Sequence, residues 1–227
     1  ISAETQQALR EQFGLDKPVF PDQFIDTLGQ WARGNLGISW SLRRPVSEVL
    51  LSKLWNTVLL IGLGQVLAIL FGVILGLLAG WKRKTAIDVG ALTFSLIAWA
   101  IPTFWLGIIL LAAGSSWFGL PTGGIVSPAN TGKPLHTVLP DLARHLVLPT
   151  LTLTILYLGE YMLIMRSSIL EVLSEDYILT AKAKGMSHWQ VLWKHALKNA
   201  MIPVITFLGP ALAGVGLMLL LGAALPK

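Results

Sequence analysis

The sequence has no cysteine, which excludes disulfides and thiolate metal sites and leaves the compartment open. Charge is scarce: 13% of the 227 residues are Asp, Glu, Lys or Arg, against 54% hydrophobic. A water-soluble domain of this length needs far more polar surface to cover itself. Also missing is any Gly-x-x-x-x-Gly-Lys-Ser/Thr run, so no such loop cradles ATP in this chain. The histidines, His136, His145, His188 and His195, are scattered without metal-ligand spacing and read as loop or interface side chains. No nucleophile–base pair is visible, nor any basic patch interleaved with aromatics, so neither catalysis nor nucleic-acid binding is expected. The opening ISAETQQALREQFGLDKP has neither the basic start nor the apolar core of a signal peptide. An anchor helix is expected ahead of it.

What the sequence does have is apolar runs long enough to cross a bilayer, which takes roughly 20 helical residues. They predict an all-α polytopic membrane protein with spans near residues 54–80, 87–118, 146–165 and 200–225. Ahead of them, residues 1–53 are polar and mixed. Phe24, Ile25, Leu28 and Trp31 fall at helical spacing there, predicting a short amphipathic helix on the membrane surface. Residues 34–45 read as a loop. The first span carries Gly62, Gly64, Gly72, Gly76 and Gly80, small residues that let helices approach closely in lipid.

The second span contains Pro102, which removes a backbone hydrogen bond and predicts a kink. Lining a pathway and simple packing are both open for it. Residues 119–145, rich in Gly, Pro, Asn and Thr, read as a loop. The third span carries Glu160, the one acid deep in a predicted span and so a functional candidate by default. Arg166 lies less than two turns on, so snorkelling or pairing at the interface competes with a substrate contact. Asn56, Gln65, Thr93 and Ser95 leave the same choice between pathway and packing. Lysine and arginine divide too evenly between the two sides to orient the chain, though the Lys82-Arg83-Lys84 cluster favours a cytoplasmic loop there.

The polar interval 166–199 is too patterned for a linker. Ser174 suits an N-cap, with Glu175 and Asp176 in the first turn where carboxylates complement the helix dipole. The helix through YILTAKAK places Lys182 and Lys184 in its last turn, and Gly185 follows where a left-handed cap is wanted. Ser187 and Gln190 form a Ser-x-x-Gln capping box that opens a second helix. On it, Trp189, Leu192, Trp193 and Ala196 share a face. The expected product is a helix–glycine–helix hairpin with Thr180, Ala181 and Ala183 clustered before the turn. It suits docking into a partner's groove, or else lies on lipid as an anchor.

The run DYILTAKAKGMSHWQVLWKHALKNAMIP resembles the cytoplasmic EAA loop of binding-protein-dependent ABC importer permeases, in particular those of dipeptide and oligopeptide importers. Tyr177, Thr180, Ala181, Ala183, Lys184, Gly185, His195, Ala196, Asn199, Ala200 and Pro203 match that branch. GNLGISWSLRRPV, then Pro102, Phe104, Trp105 and Gly107, and RHLVLP extend the likeness over roughly residues 20–214. The general pattern's glutamate and proline are Leu179 and Lys198 here, a departure shared by the peptide branch. Beyond about Gly214 the resemblance fades. About four spans against about six in the family lead to the expectation of a chain truncated at both ends.

The resemblance implies a type I importer-like helical bundle in the bacterial or archaeal cytoplasmic (inner) membrane. It divides the chain into an extracytoplasmic segment, 1–53, and a permease domain, 54–225, with an extracytoplasmic loop at 119–145 and a cytoplasmic coupling loop at 166–199. Coupling to an ATPase falls to Tyr177, Thr180, Ala181, Ala183, Lys184, Gly185, Ser187, His195 and Asn199. Pathway candidates are Gln65, Pro102, Phe104 and Glu160. The implied partners are a second homologous permease, two ATPase subunits that hold ATP and magnesium, a solute-binding protein, the bilayer and a peptide cargo. No cofactor is expected on this chain. Related permeases also handle nickel chelates or glutathione, and no residue here chooses among these cargoes. The competing reading is an ion-coupled secondary transporter with Glu160 as proton carrier.

Overall fold

The structure is a computed structural model describing residues 3, 6, 7, 18–39 and 41–224. Most of the opening polar segment, Trp40 in the 34–45 loop and the last residue of the fourth expected span lie outside the described residues. Those described fall into two compact units, one from residues 1–55 and 214–227 and one from residues 56–213. Regular structure is helical throughout the described residues, apart from one isolated bridge between Ile38 and Pro45.

In the first unit, a π turn leads into α1 (Phe24–Ala32). Phe24, Ile25, Leu28 and Trp31 are all exposed on it, the apolar stripe expected from their spacing. The loop after it turns through left-handed Gly34 and Gly37.

Four helices build most of the second unit: α2 (Val46–Trp81, which begins in the first unit), α3 (Ala86–Ala100), α4 (Thr103–Phe118) and α5 (Leu135–Val172). The 36 residues of α2 and 38 of α5 are each long and apolar enough to cross a membrane. The second expected span is not a kinked rod. It breaks at Ile101 and Pro102 into α3 and α4, which meet at 100°. Pro102 has no N–H to give the Ala98 carbonyl and forces Ile101 out of helical geometry, to ψ 124°. At 15 and 16 residues, neither arm alone reaches the ~30 Å of a hydrocarbon core at 1.5 Å per residue.

The third span also differs from expectation. Its helix starts at Leu135, through Pro140 and Pro149, so the loop is residues 119–134. Two features anchor that loop to α5. Ser127 donates from its backbone N–H and hydroxyl to the two oxygens of Asp141, at 2.7 and 2.8 Å. Arg144 donates to the Gly119 carbonyl, 3.2 Å away.

The long α5 is the central helix, and close approach is what fixes its neighbours. A Cβ on Gly76 of α2 would come within 2.5 Å of the Met162 carbonyl oxygen, and one on Gly72 within 2.7 Å of Tyr161 Cβ. Gly64 and Gly80 meet Leu153 and Ile169 in the same way, whereas Gly62 faces open space. On another side, Gly159 of α5 admits Ser95 and Ala98 of α3. Small residues thus serve helix packing here, as lipid-embedded helices require.

Candidate functional site

After α5, α6 (Asp176–Ala183) starts from Glu175, not from Ser174. The Ser174 hydroxyl donates back to the Glu171 carbonyl at 2.6 Å and so belongs to the end of α5. Asp176 lies in the first turn and Lys182 in the last, as the dipole favours. Lys184 is the C-cap residue, and Gly185 follows in the left-handed region at φ 78°. Its N–H reaches the Lys182 carbonyl at 2.9 Å, and that of Met186 reaches Ala181 at 3.3 Å. These two bonds make a Schellman ending.

The capping box closes in both directions. Gln190 N–H donates to Ser187 Oγ at 3.3 Å, and Ser187 N–H to Gln190 Oε1 at 3.0 Å. The helix it starts, α7 (His188–Val191), does not end as a separate hairpin arm. It continues through a π turn (Leu192–Ala196) into α8 (Leu197–Ala224), the fourth expected span. The extra residue in that turn rotates the faces. Leu192 and Ala196 are buried with Val191 and Ala200, while Trp189 and Trp193 remain 66% and 49% exposed. The single face expected for these four is therefore split. The two tryptophans meet edge to face at 5.3 Å outside the core.

This geometry separates a fixed inside from a free outside. Ile178 and Ala181 on α6 join Met165 and Ile169 of α5 and Val191, Leu192 and Ala196 in one core. Trp81, at the end of α2, packs edge to face on His188. Asn199 Nδ2 donates to the Tyr177 hydroxyl at 2.7 Å, joining two candidates from opposite ends of the motif. Thr180, Ala183, Lys184, Gly185 and Ser187 are exposed, Tyr177 and Asn199 also keep an exposed side, and His195 is half-buried. Of the coupling candidates only Ala181 is buried. The hairpin is thus braced from within and bare without.

Arg166 does not pair with Glu160. Its guanidinium binds Asp88 in the first turn of α3, through Nε to Oδ1 and through Nη2 to Oδ2 at 3.1 Å. Asp88 also accepts from the Lys84 backbone N–H at 2.9 Å. It is 4% exposed, so a second acid is buried at the start of a span. Sequence reasoning missed this pair; an acid and a base each isolated at the edge of an apolar run was the available signal.

Glu160 makes no hydrogen bond or ion pair with any described residue. It lines a cleft of about 190 Å³ at the α3–α4 elbow, with Trp99, Ile101, Thr103 and Tyr157. The neighbours of Pro102 in sequence, Ile101 and Thr103, line that cleft, but Pro102 itself does not. Phe104 and Gln65 are elsewhere. Phe104 lines a larger hollow of about 410 Å³ near His145 and Thr152. Gln65 is half-buried on α2, its Oε1 without a donor. Among the described residues, no cluster of His, Asp or Glu could hold a metal ion.

Comparison with known proteins places these features in a family. Residues 72–225 match the model of the binding-protein-dependent transport system inner membrane component. The oligopeptide transport system permease protein of Bacillus subtilis is 37% identical over 92% of this chain and 65% of its own length. The di/tripeptide transport system permease protein of Pseudomonas aeruginosa is 37% identical over 87% of the chain and 63% of its own. A Brucella suis protein, described provisionally as a peptide permease, is 39% identical over 89% of the chain and 62% of its own length. The chain therefore spans a little under two thirds of these relatives.

Proposed function

The chain belongs to the family of binding-protein-dependent transport system inner membrane components, and from that premise we propose that it is a permease subunit of an ATP-driven peptide importer. The observation that carries the reading is the hairpin: an exposed ridge around Gly185 on a base packed into the core of the spans. Two ATPase subunits hold ATP and magnesium; this chain binds neither and catalyses nothing. The Gly185 ridge seats in one of them. When they close on ATP, the ridge moves with its core, and the spans rock between inward- and outward-facing states. A second, similar permease completes the pathway in the cytoplasmic membrane, and a solute-binding protein delivers cargo from outside. Peptides are the cargo class, on the strength of the relatives' names.

Reconstituting the complete transporter that contains this chain into proteoliposomes tests this. Peptide uptake is expected to require ATP on the ATPase side and to survive a protonophore. Uptake that ignores ATP and collapses with the proton gradient would sink the reading in favour of ion coupling.

A further inference from the structure

The cleft at the α3–α4 elbow holds a carboxylate with no counter-charge among the described residues. Glu160 is half-buried in a long apolar helix, where an unpaired charge is costly and marks function. The cation next along the helix, Arg166, is committed to Asp88. The other lining groups are not cations: Trp99, Tyr157, Thr103 and Ile101 face the same space. Pro102 adds a second feature. Without its N–H the Ala98 carbonyl loses its helical donor, so the negative end of α3 finishes at this elbow, where the positive end of α4 begins. Broken helices whose ends and a buried charge meet at one point are a recurrent way to hold a polar cargo inside a membrane.

The ligand class follows from these groups. The α3 C-terminus and the α4 N-terminus meet at this elbow and offset each other, so the carboxylate itself sets the preference for a cation. Aromatic surface favours an organic one over a hydrated metal ion. At about 190 Å³ the space is below that of a whole-ligand pocket. It suits an end group.

We propose that this cleft is a subsite for the amino-terminal ammonium group of a peptide, with Glu160 as its counter-ion and Trp99 and Tyr157 as its walls. The proposal rests on the peptide-importer reading and names the part of the cargo read by this chain.

The test uses the complete transporter with trialanine and N-acetyl-trialanine as probes. Without the solute-binding protein, trialanine is expected to raise the thermal midpoint of the wild-type complex, and the acetylated peptide to do so far less. In Glu160→Gln the difference disappears, and the KM for trialanine uptake rises about tenfold or more, the scale of a lost charge-assisted hydrogen bond. Glu160→Asp, which keeps the charge, retains the preference. Uptake that remains ATP-driven while both probes stabilise the wild type equally, or neither does, overturns the subsite and leaves the importer reading standing. So does a Glu160→Gln complex that still prefers the free amine. Absence of ATP-driven trialanine uptake by the wild type overturns both.

Discussion

Asp88 and Arg166 are 78 positions apart in sequence, yet they fix where α3 leaves the basic turn and meets α5. Removing one partner leaves the other charge poorly solvated, which for fully buried pairs costs about 3–5 kcal/mol. Arg166 keeps 19% side-chain exposure, so the expected cost of Asp88→Asn is about 2–3 kcal/mol. Denaturation of the purified protein measures it directly, and an unchanged midpoint would show that the pair does not bear on stability. The amide oxygen of the Asp88→Asn variant can still accept from Lys84 N–H and Arg166 Nη2, which share Oδ2, so the loss reports the charge and the Nε contact. Gly76 gives a second residue-scale expectation. Its missing Cβ is occupied by the Met162 carbonyl, so Gly76→Ala is expected to cost about 1–3 kcal/mol by overpacking. Gly62→Ala, facing open space, is expected to be close to neutral in the same measurement.

At the scale of elements, the hairpin depends on its turn. Gly185 is exposed and its Cβ position is empty, so a side chain there meets no clash, only the strain of φ 78°. Gly185→Val is expected to distort the ridge and uncouple ATP hydrolysis from uptake. Gly185→Asn, which tolerates the left-handed region, is expected to keep most of the coupling. Equal coupling ratios in the two variants would show that the backbone at this position is not what matters. Much of this element was legible beforehand, because caps are local: the capping box, the left-handed glycine and the last-turn lysine are written within a few residues of each other. The tertiary departures were not. The π turn that splits Leu192 from Trp193 depends on which side meets α5. The continuation of α5 through Pro140 and Pro149 depends on neighbours that offset the lost hydrogen bonds. The Arg166 pairing needed knowledge of where α3 runs. Pro102 signalled a bend, but its 100° angle is a property of the packed arms.

The whole molecule combines spans held on α5 by small residues, a broken span with an acidic elbow, and a ridge braced on the core. Fold class was readable from apolar runs because the bilayer sets their length. The span count was not: of the four expected spans only two among the described residues are single helices long and apolar enough to cross, or three if the broken pair is one span. The functional reading needed the motif as well, since many membrane bundles share the same hydropathy. The absence of cysteine from these 227 residues gives this scale a probe. Lys182→Cys places one thiol on the exposed side of α6, beside the ridge but outside the matched motif positions. In native membranes carrying the variant, a short thiol cross-linker from position 182 should capture an ATP-binding subunit, with a yield that changes when ATP is added. Failure to capture such a subunit in membranes where uptake is intact would contradict the seating of this hairpin in an ATPase.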